Sequence, residues 1–240
     1  MNYETIFQAR GGPYHDAMRE WPHARREDFE VPLTWAAIEP GEIVVDVPAG
    51  GGYLREYLPQ KSQWFGHEPC SSFGDDGLTE DQLLLPLPWG DGFADVAMSI
   101  AGVHHLTDKR ALFGEILRVL RRSGRLVLAD AQVGSPVAGF LDEFVGRHNG
   151  MGHQGIYLSD ATVEELEQSG FRVLRHGAVH CGWWFANRDA MGAFCRLLFD
   201  LRDIAVDDVI DAVESRLGTI ERHGKVGMNW ELMLVLAEPR

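Results

Sequence analysis

Cysteine is scarce in this chain of 240 residues, and the three present, Cys70, Cys181 and Cys195, stand far apart. No two have the close spacing of a zinc knuckle or a redox motif, and bridging any two would strand the third. The expectation is a reduced, cytoplasmic chain without a bound metal. No apolar run approaches the roughly 20 residues that a membrane-spanning helix needs, and no secretory leader is recognisable, so neither membrane insertion nor export is expected. Positive charge is short as well: 22 Lys and Arg stand against 36 Asp and Glu, a formal net charge of -14, and no Lys/Arg block interrupts the deficit. Phosphate backbones require a basic field, so nucleic acid is not expected as a partner.

What is present suits one α/β domain. The length and the 45% hydrophobic content allow a single sizeable core. The stretch that organises it is residues 42–58, EIVVDVPAGGGYLREYL. An apolar strand ends at Asp46, a sharp turn runs from Pro48 to Gly52, and a helix is expected from Tyr53. Such a turn gathers amide N–H groups at a helix N-terminus, where side chains would keep a ligand away. The turn lacks the Lys and Ser/Thr pair of a phosphate loop, which argues against an ATPase. A second strand, residues 63–66, leads to Glu68. An acid about 20 residues past such glycines is placed to accept from ribose hydroxyls.

Asp46, Val47, Pro48, Ala49, Gly50, Gly51 and Gly52 resemble motif I of the class I S-adenosylmethionine-dependent methyltransferases, with Pro48 in the first glycine place. Proline there removes one N–H and fixes φ. Residues 81–86, DQLLLP, resemble the segment that flanks the adenine, and 93–106 and 118–130 resemble the fourth strand with its loop and the approach to the fifth strand. The resemblance implies S-adenosylmethionine as cofactor. It also implies an α/β, Rossmann-like, mostly parallel seven-stranded sheet with helices on both faces. An N-terminal helical cover (residues 1–40) and a helical insertion before the last strand (183–225) complete a single domain, 1–240. The cofactor-binding residues it implies are Tyr14, Asp46, Pro48, Ala49, Gly50, Gly52, Glu68, Asp81, Gln82 and Ser99.

The alternation of elements independently predicts a mostly parallel sheet covered on both faces. Tyr14, Met18 and Trp21 mark one or two amphipathic helices, with Pro22 breaking continuity. Strands are expected over 83–85, 95–100, 125–129, 172–175 and 230–236, and helices over 109–120, 137–145, 189–201 and 206–217. Ser159 reads as the N-cap of a further helix to Gln168, closed by Gly170.

Ligands of such sheets sit beyond the carboxyl ends of the strands. His105, after the fourth strand, is the expected general base for a methyl acceptor, with structural support as the competing role. The acceptor pocket is expected from His104, His148, His153, Tyr157, Trp183 and Trp184. Adjacent strand residues point to opposite faces, so only one of the two tryptophans can enter a given pocket. Tyr14 reads as a cofactor contact, a pocket roof or simple packing. Arg25 and Arg26 read as a solvated helix face or as partners of an anionic substrate. No compact run with metal-ligand geometry accompanies the histidines. The expected partner is a small-molecule methyl acceptor, with a homodimer through the insertion as a further expectation. The competing readings are a nicotinamide-dependent reductase and a noncatalytic, S-adenosylmethionine-binding regulatory protein.

Overall fold

In a computed structural model the described residues are 3–74 and 83–240. Two helices come first: α1 (Tyr3–Glu20) and α2 (Arg26–Ala36), parted at the Trp21–Pro22 step as the proline predicts. The end of α2 is a left-handed residue, Ala37, whose N–H returns to the Leu33 carbonyl. Strand β1 (Ile43–Asp46) follows. The helix expected after the glycine turn is only a 3-10 turn, Tyr53–Tyr57. Its limit is local: Leu58 precedes Pro59 and is extended (φ -67, ψ 147), as a residue before proline must be. The chain then enters β2 (Gln63–Gly66) and a 3-10 turn, Ser71–Phe73.

Residues 83–85, expected as a strand, form none. Instead the carbonyls of Leu83 and Leu84 accept from Nε2 of the buried His67 ring at 3.2 and 3.0 Å. Beyond them lie β3 (Ala94–Ile100), a 3-10 turn Val103–His105, α3 (Lys109–Val119) and β4 (Leu120–Asp130). A short α4 (Pro136–Gly139) passes through a π-helical stretch, Phe140–Val145, into α5 (Gly146–His148). The N-cap expected at Ser159 is there, as half of a capping box with Thr162, and starts α6 (Asp160–Gln168). Strand β5 (Phe171–His180) is followed by β6 (Trp183–Phe185), α7 (Arg188–Leu198), α8 (Val206–Arg216), β7 (Thr219–Arg222), β8 (Lys225–Met228) and β9 (Glu231–Pro239).

The main sheet has six strands among the described residues, in the order β2-β1-β3-β4-β9-β5, where seven were expected. The pairings from β2 to β4 are parallel, and β9 runs antiparallel to both of its neighbours. A second, three-stranded sheet, β6-β8-β7, accompanies α7 and α8. Side-chain alternation divides the core. Val44, Val96, Met98, Val127 and Leu234 join α1, α2, α7 and α8 on one face. Val45, Ala97, Leu126, Leu128 and Val235 join α3 and α6 on the other. Since every central strand is buried on both sides, it reads as an unbroken apolar run. The three cysteines are buried and unpaired. Among the described residues no helix is long and apolar enough to cross a membrane.

Candidate functional site

The carboxyl ends of β1, β2 and β3 meet at the glycine turn. Asp46 ends β1, and its backbone carbonyl accepts from His67 N–H at 2.9 Å, while Ala49 N–H returns to the His67 carbonyl at 2.9 Å. These bonds bring Glu68 under the turn, where Gly50 N–H donates to Oε2 at 2.9 Å and Cys70 N–H donates to Oε1 at 2.9 Å. Burial pushes Glu68 up to about 7 against those donors. Burial likewise pushes Asp46 to about 8, the indole N–H of Trp64 and the neighbouring Glu68 being weaker influences. Gly50 sits at φ +54, and a Cβ there would meet nothing closer than Phe73 at 3.9 Å. The floor of the cradle is therefore an open backbone surface beside two carboxyl groups.

The loop after β3 closes the far side, through Ile100, Ala101 and Gly102. Gly102 lies so near the turn that a Cβ on it would stand 2.6 Å from Cγ of Pro48. A Gly102→Ala variant is expected to lose about 1–3 kcal/mol through this overpacking. Urea unfolding measures it, and an unchanged midpoint would show that the two loops have room to part.

Helix α1 covers the cradle. Tyr3, Phe7 and Tyr14 line it together with Phe73, and the Tyr3 hydroxyl donates to Glu68 Oε2 at 2.7 Å. Gly11 lets the helix settle on the Ser71–Phe73 turn, since a Cβ there would strike Ser72 Oγ at 2.2 Å. The covered space has a volume of about 40 Å³, whereas pockets for molecules of cofactor size hold about 300–1,000 Å³. The polar groups suit a nucleoside: carboxylate oxygens accept from ribose hydroxyls, and the backbone at Gly50 is open to close approach. The room is taken by aromatic side chains of α1, so occupation requires that helix to move outward.

On the other side of α1 lies a cavity of about 630 Å³, lined by Ile6, Arg10, His104, His105, Asp142 and His153 among others. Asp130, at the end of β4, positions the histidine loop. Its Oδ2 accepts from the His104 backbone N–H at 2.9 Å and its Oδ1 from the His104 ring Nδ1 at 2.7 Å. Burial works to raise Asp130, but the His104 ring and the backbone donors outweigh it and hold the carboxyl below its usual range. His153 Nδ1 donates to Asp142 Oδ1 at 3.2 Å, and the same oxygen accepts from Tyr157 hydroxyl at 2.5 Å and Gly155 N–H at 3.0 Å. Burial pushes His105 well below the histidine range, with His104, His153, Arg10 and Lys109 adding to the effect, so its ring is neutral at pH 7.

Tyr14, Asp46, Pro48, Ala49 and Gly50 line the cradle, Gly52 begins the 3-10 turn beside it, and Glu68 is bonded to it. Asp81 and Gln82 lie outside the described residues. Ser99 is buried on β3 with its hydroxyl unpaired among the described residues, away from the cradle lining. His104, His105 and His153 converge on the second cavity, and Tyr157 supports it through Asp142. His148 packs on Phe144 instead, 5.0 Å between ring centres. The two tryptophans do part to opposite faces. Trp183 is core, stacked on Trp230 at 4.1 Å. Trp184 lines a separate cavity with Trp21 and Phe185, and its indole N–H donates to Glu27 at 2.8 Å.

Arg10 and Asp142 are contributors that carry no sign in the sequence, and Arg25, read there as a solvated face or an anion partner, is a third. Arg25 is buried in the cradle wall, bonded to the Tyr14 hydroxyl and paired with Asp28 at 2.8 Å, while Arg26 is the solvated one. Arg10 lies buried in the histidine cavity with its Nε unpaired among the described residues. Asp142 orients His153 from the π-helical stretch. An Arg two turns into an amphipathic helix carries no mark of burial, although α1's apolar stripe through Tyr3, Phe7 and Tyr14 places Arg10 near its edge.

The comparisons agree with this geometry. Residues 75–128 match the family model of a methyltransferase domain. The uncharacterized methyltransferase YcgJ of Bacillus subtilis is 28% identical over 162 residues, 62% of this chain and 62% of that protein. The ubiquinone/menaquinone biosynthesis C-methyltransferase UbiE of Chromobacterium violaceum is 26% identical over 58% of this chain and 60% of that one. The chain thus spans about three-fifths of the curated relatives it matches. The solved YcgJ structure superposes with a TM-score of 0.59 at 16% identity, covering 90% of this chain and 99% of that one. A Haemonchus contortus N-methyltransferase solved with S-adenosylhomocysteine gives a TM-score of 0.65 at 11% identity, covering 100% and 61%. Strand, glycine turn and acid thus stand in the order that the resemblance to the class I S-adenosylmethionine-dependent methyltransferases implies, and the chain is similar to methyltransferases in sequence over about three-fifths of its length and shares their Rossmann-like fold.

Proposed function

We propose that the chain transfers a methyl group from S-adenosylmethionine to a small organic acceptor held in the histidine-lined cavity. The observation that carries this reading is the shared wall between the two spaces. Tyr3 and Phe7 of α1 face the cradle, Ile6 and Arg10 of the same helix face the cavity, and the Phe7 ring lies 5.1 Å from the His105 ring. An outward movement of α1 both opens the cradle and joins it to the cavity.

Glu68 would hold the ribose hydroxyls, the Gly50 backbone would lie against the nucleoside, and Arg25 with Tyr14 would face the carboxylate end. When bound, that cofactor supplies a methyl group on a sulfonium, a leaving group that needs no protonation. The chain's own work is positioning and exclusion of water, which supply much of the rate in such transfers. Phe7, Phe73 and Ile100 furnish apolar surface around the reacting region. His105, neutral and buried, offers a ring nitrogen to an acceptor proton, and Arg10 offers an unsatisfied N–H to an anionic group on the acceptor. A small acceptor is favoured by the cavity of about 630 Å³ and by the net charge of -14.

The test is methyl transfer from labelled cofactor to a panel of small acceptors. His105→Ala is expected to lower turnover by about 10²–10⁴-fold, with cofactor affinity unchanged. Wild-type turnover in that variant would remove the acceptor from this cavity.

A further inference from the structure

His104, His105 and His153 each present one ring nitrogen, and the three atoms lie within 4.8 Å of one another. They come from two loops separated in sequence, the turn after β3 and the segment after α5, so no local motif announces them. Two of the rings are already oriented from behind. His104 donates its Nδ1 proton to Asp130, and His153 donates its Nδ1 proton to Asp142. A ring that donates through Nδ1 carries its free lone pair on Nε2, and a carboxylate in that outer position is the usual partner of a metal-ligating histidine. Each carboxylate is anchored in turn: Asp130 by the backbone N–H groups of His104 and Ala131, Asp142 by Tyr157 and Gly155.

We infer that His104, His105 and His153 form a three-histidine site for a divalent transition ion, with Zn²⁺ the best-suited ion and an open fourth position facing the cavity. The donor set decides the ion, since three imidazoles suit zinc, copper, nickel or iron and not magnesium or calcium. Tetrahedral bonds of 2.0–2.1 Å put ligand nitrogens about 3.4 Å apart. The present separations reach 4.8 Å, so binding draws the three rings together by up to about 1.4 Å. The open side is lined by Arg10, Thr107 and Gln154. Arg10 and Lys109 are the cations near the cluster, and Asp130 and Asp142 are the anions that offset them. With an ion added, the unpaired Nε of Arg10 favours an anionic oxygen group at the fourth position. Packing of neutral rings is the competing account of the same cluster. The ring centres of His104 and His105 are 3.9 Å apart, which packing alone permits.

Binding of the ion stands apart from the methyl-transfer reading, whereas its part in holding the acceptor rests on that reading. With the ion present, His105 becomes a ligand, and the ion lowers the pKa of the acceptor oxygen in its place.

The experiment is a titration of the chelator-treated full chain with Co²⁺, read by visible absorption, and with Zn²⁺, read by calorimetry. Neither needs cofactor or acceptor, so failure here leaves the methyl-transfer reading intact, and the converse holds. One ion per chain is expected, with the absorption bands of four-coordinate cobalt. His153→Gln is expected to lower affinity at least 100-fold. Asp142→Asn, which keeps the one oxygen that Tyr157, Gly155 and His153 share but removes its charge, is expected to lower it about 10–100-fold. Circular dichroism reports folding of both variants, and the second serves if the first fails to fold. Binding well below one equivalent, or affinity unchanged in the folded variants, would overturn the site.

Discussion

Replacing Asp28 by alanine is expected to destabilise the chain by about 3–5 kcal/mol, the range for a buried ion pair robbed of one partner. Asp28 is fully buried and Arg25 is 4% exposed, so removal of the carboxylate leaves a guanidinium with little water to turn to. The loss extends beyond that pair. Trp183 donates its indole N–H to both Asp28 oxygens at 3.0 Å, and Arg25 lies 4.7 Å over the Trp183 ring. Trp183 is stacked in turn on Trp230, which leads into β9. One carboxylate therefore ties the start of α2 to β6 and to the start of β9 in the main sheet. Adding Arg25→Ala to Asp28→Ala removes the stranded charge, and the double variant is expected to be more stable than Asp28→Ala alone. Urea unfolding of the wild type and the two variants decides it. A loss below about 1 kcal/mol in Asp28→Ala would mean that the guanidinium reaches solvent.

That tie shows where sequence reasoning stops. Asp28 and Trp183 are 155 residues apart, and nothing in either neighbourhood marks the contact. Arg25 sits beside Arg26 in a polar stretch and reads like it, yet one is buried in the cradle wall and the other is 56% exposed. Features carried by local chemistry were legible. Asp46 and the glycine turn follow a strand, Ser159 and Thr162 cap α6, and Gly170 takes φ +101 at its end. The period-two division of the core is legible only as a run of apolar residues, because both faces of the sheet are covered. The helix expected from Tyr53 fails for an equally local reason, Pro59, which was present in the sequence but outweighed by the family pattern. That His153 meets His104 and His105 was expected from their loops beyond the strand ends, but the π-helical Phe140–Val145 stretch that carries Asp142 to His153 is not revealed by periodicity.

Affinity for S-adenosylmethionine is expected to rise with pH through about 7 and to be low and nearly flat in Glu68→Gln. The reason is the state of one carboxyl group. Burial holds Glu68 at about 7, against the donors Tyr3, Cys70 and Gly50, and the Asp46 carboxyl on β1 lines the same cradle. Ribose hydroxyls donate to an ionised carboxylate, so below that pKa binding must first expel a proton, and affinity falls by up to about tenfold per pH unit. Asp46, held at about 8 by burial, extends the rise to higher pH. The same burial acts oppositely on the fold. Between about 4, where unfolded carboxyls ionise, and the raised native values, the folded chain keeps protons that the unfolded chain has lost, so this contribution to stability falls as pH rises. Tyr3 adds a separable effect, because its hydroxyl occupies the Glu68 oxygen that the ribose would use. Above pH 8, where Glu68 is ionised in either protein, Tyr3→Phe is expected to bind cofactor about tenfold more tightly, the worth of a hydrogen bond to a charged group. Calorimetry of the three proteins from pH 6 to 9 separates these contributions. A flat wild-type profile would show that Glu68 does not receive the ribose, and an unchanged affinity in Tyr3→Phe would show that α1 does not compete with the cofactor for it.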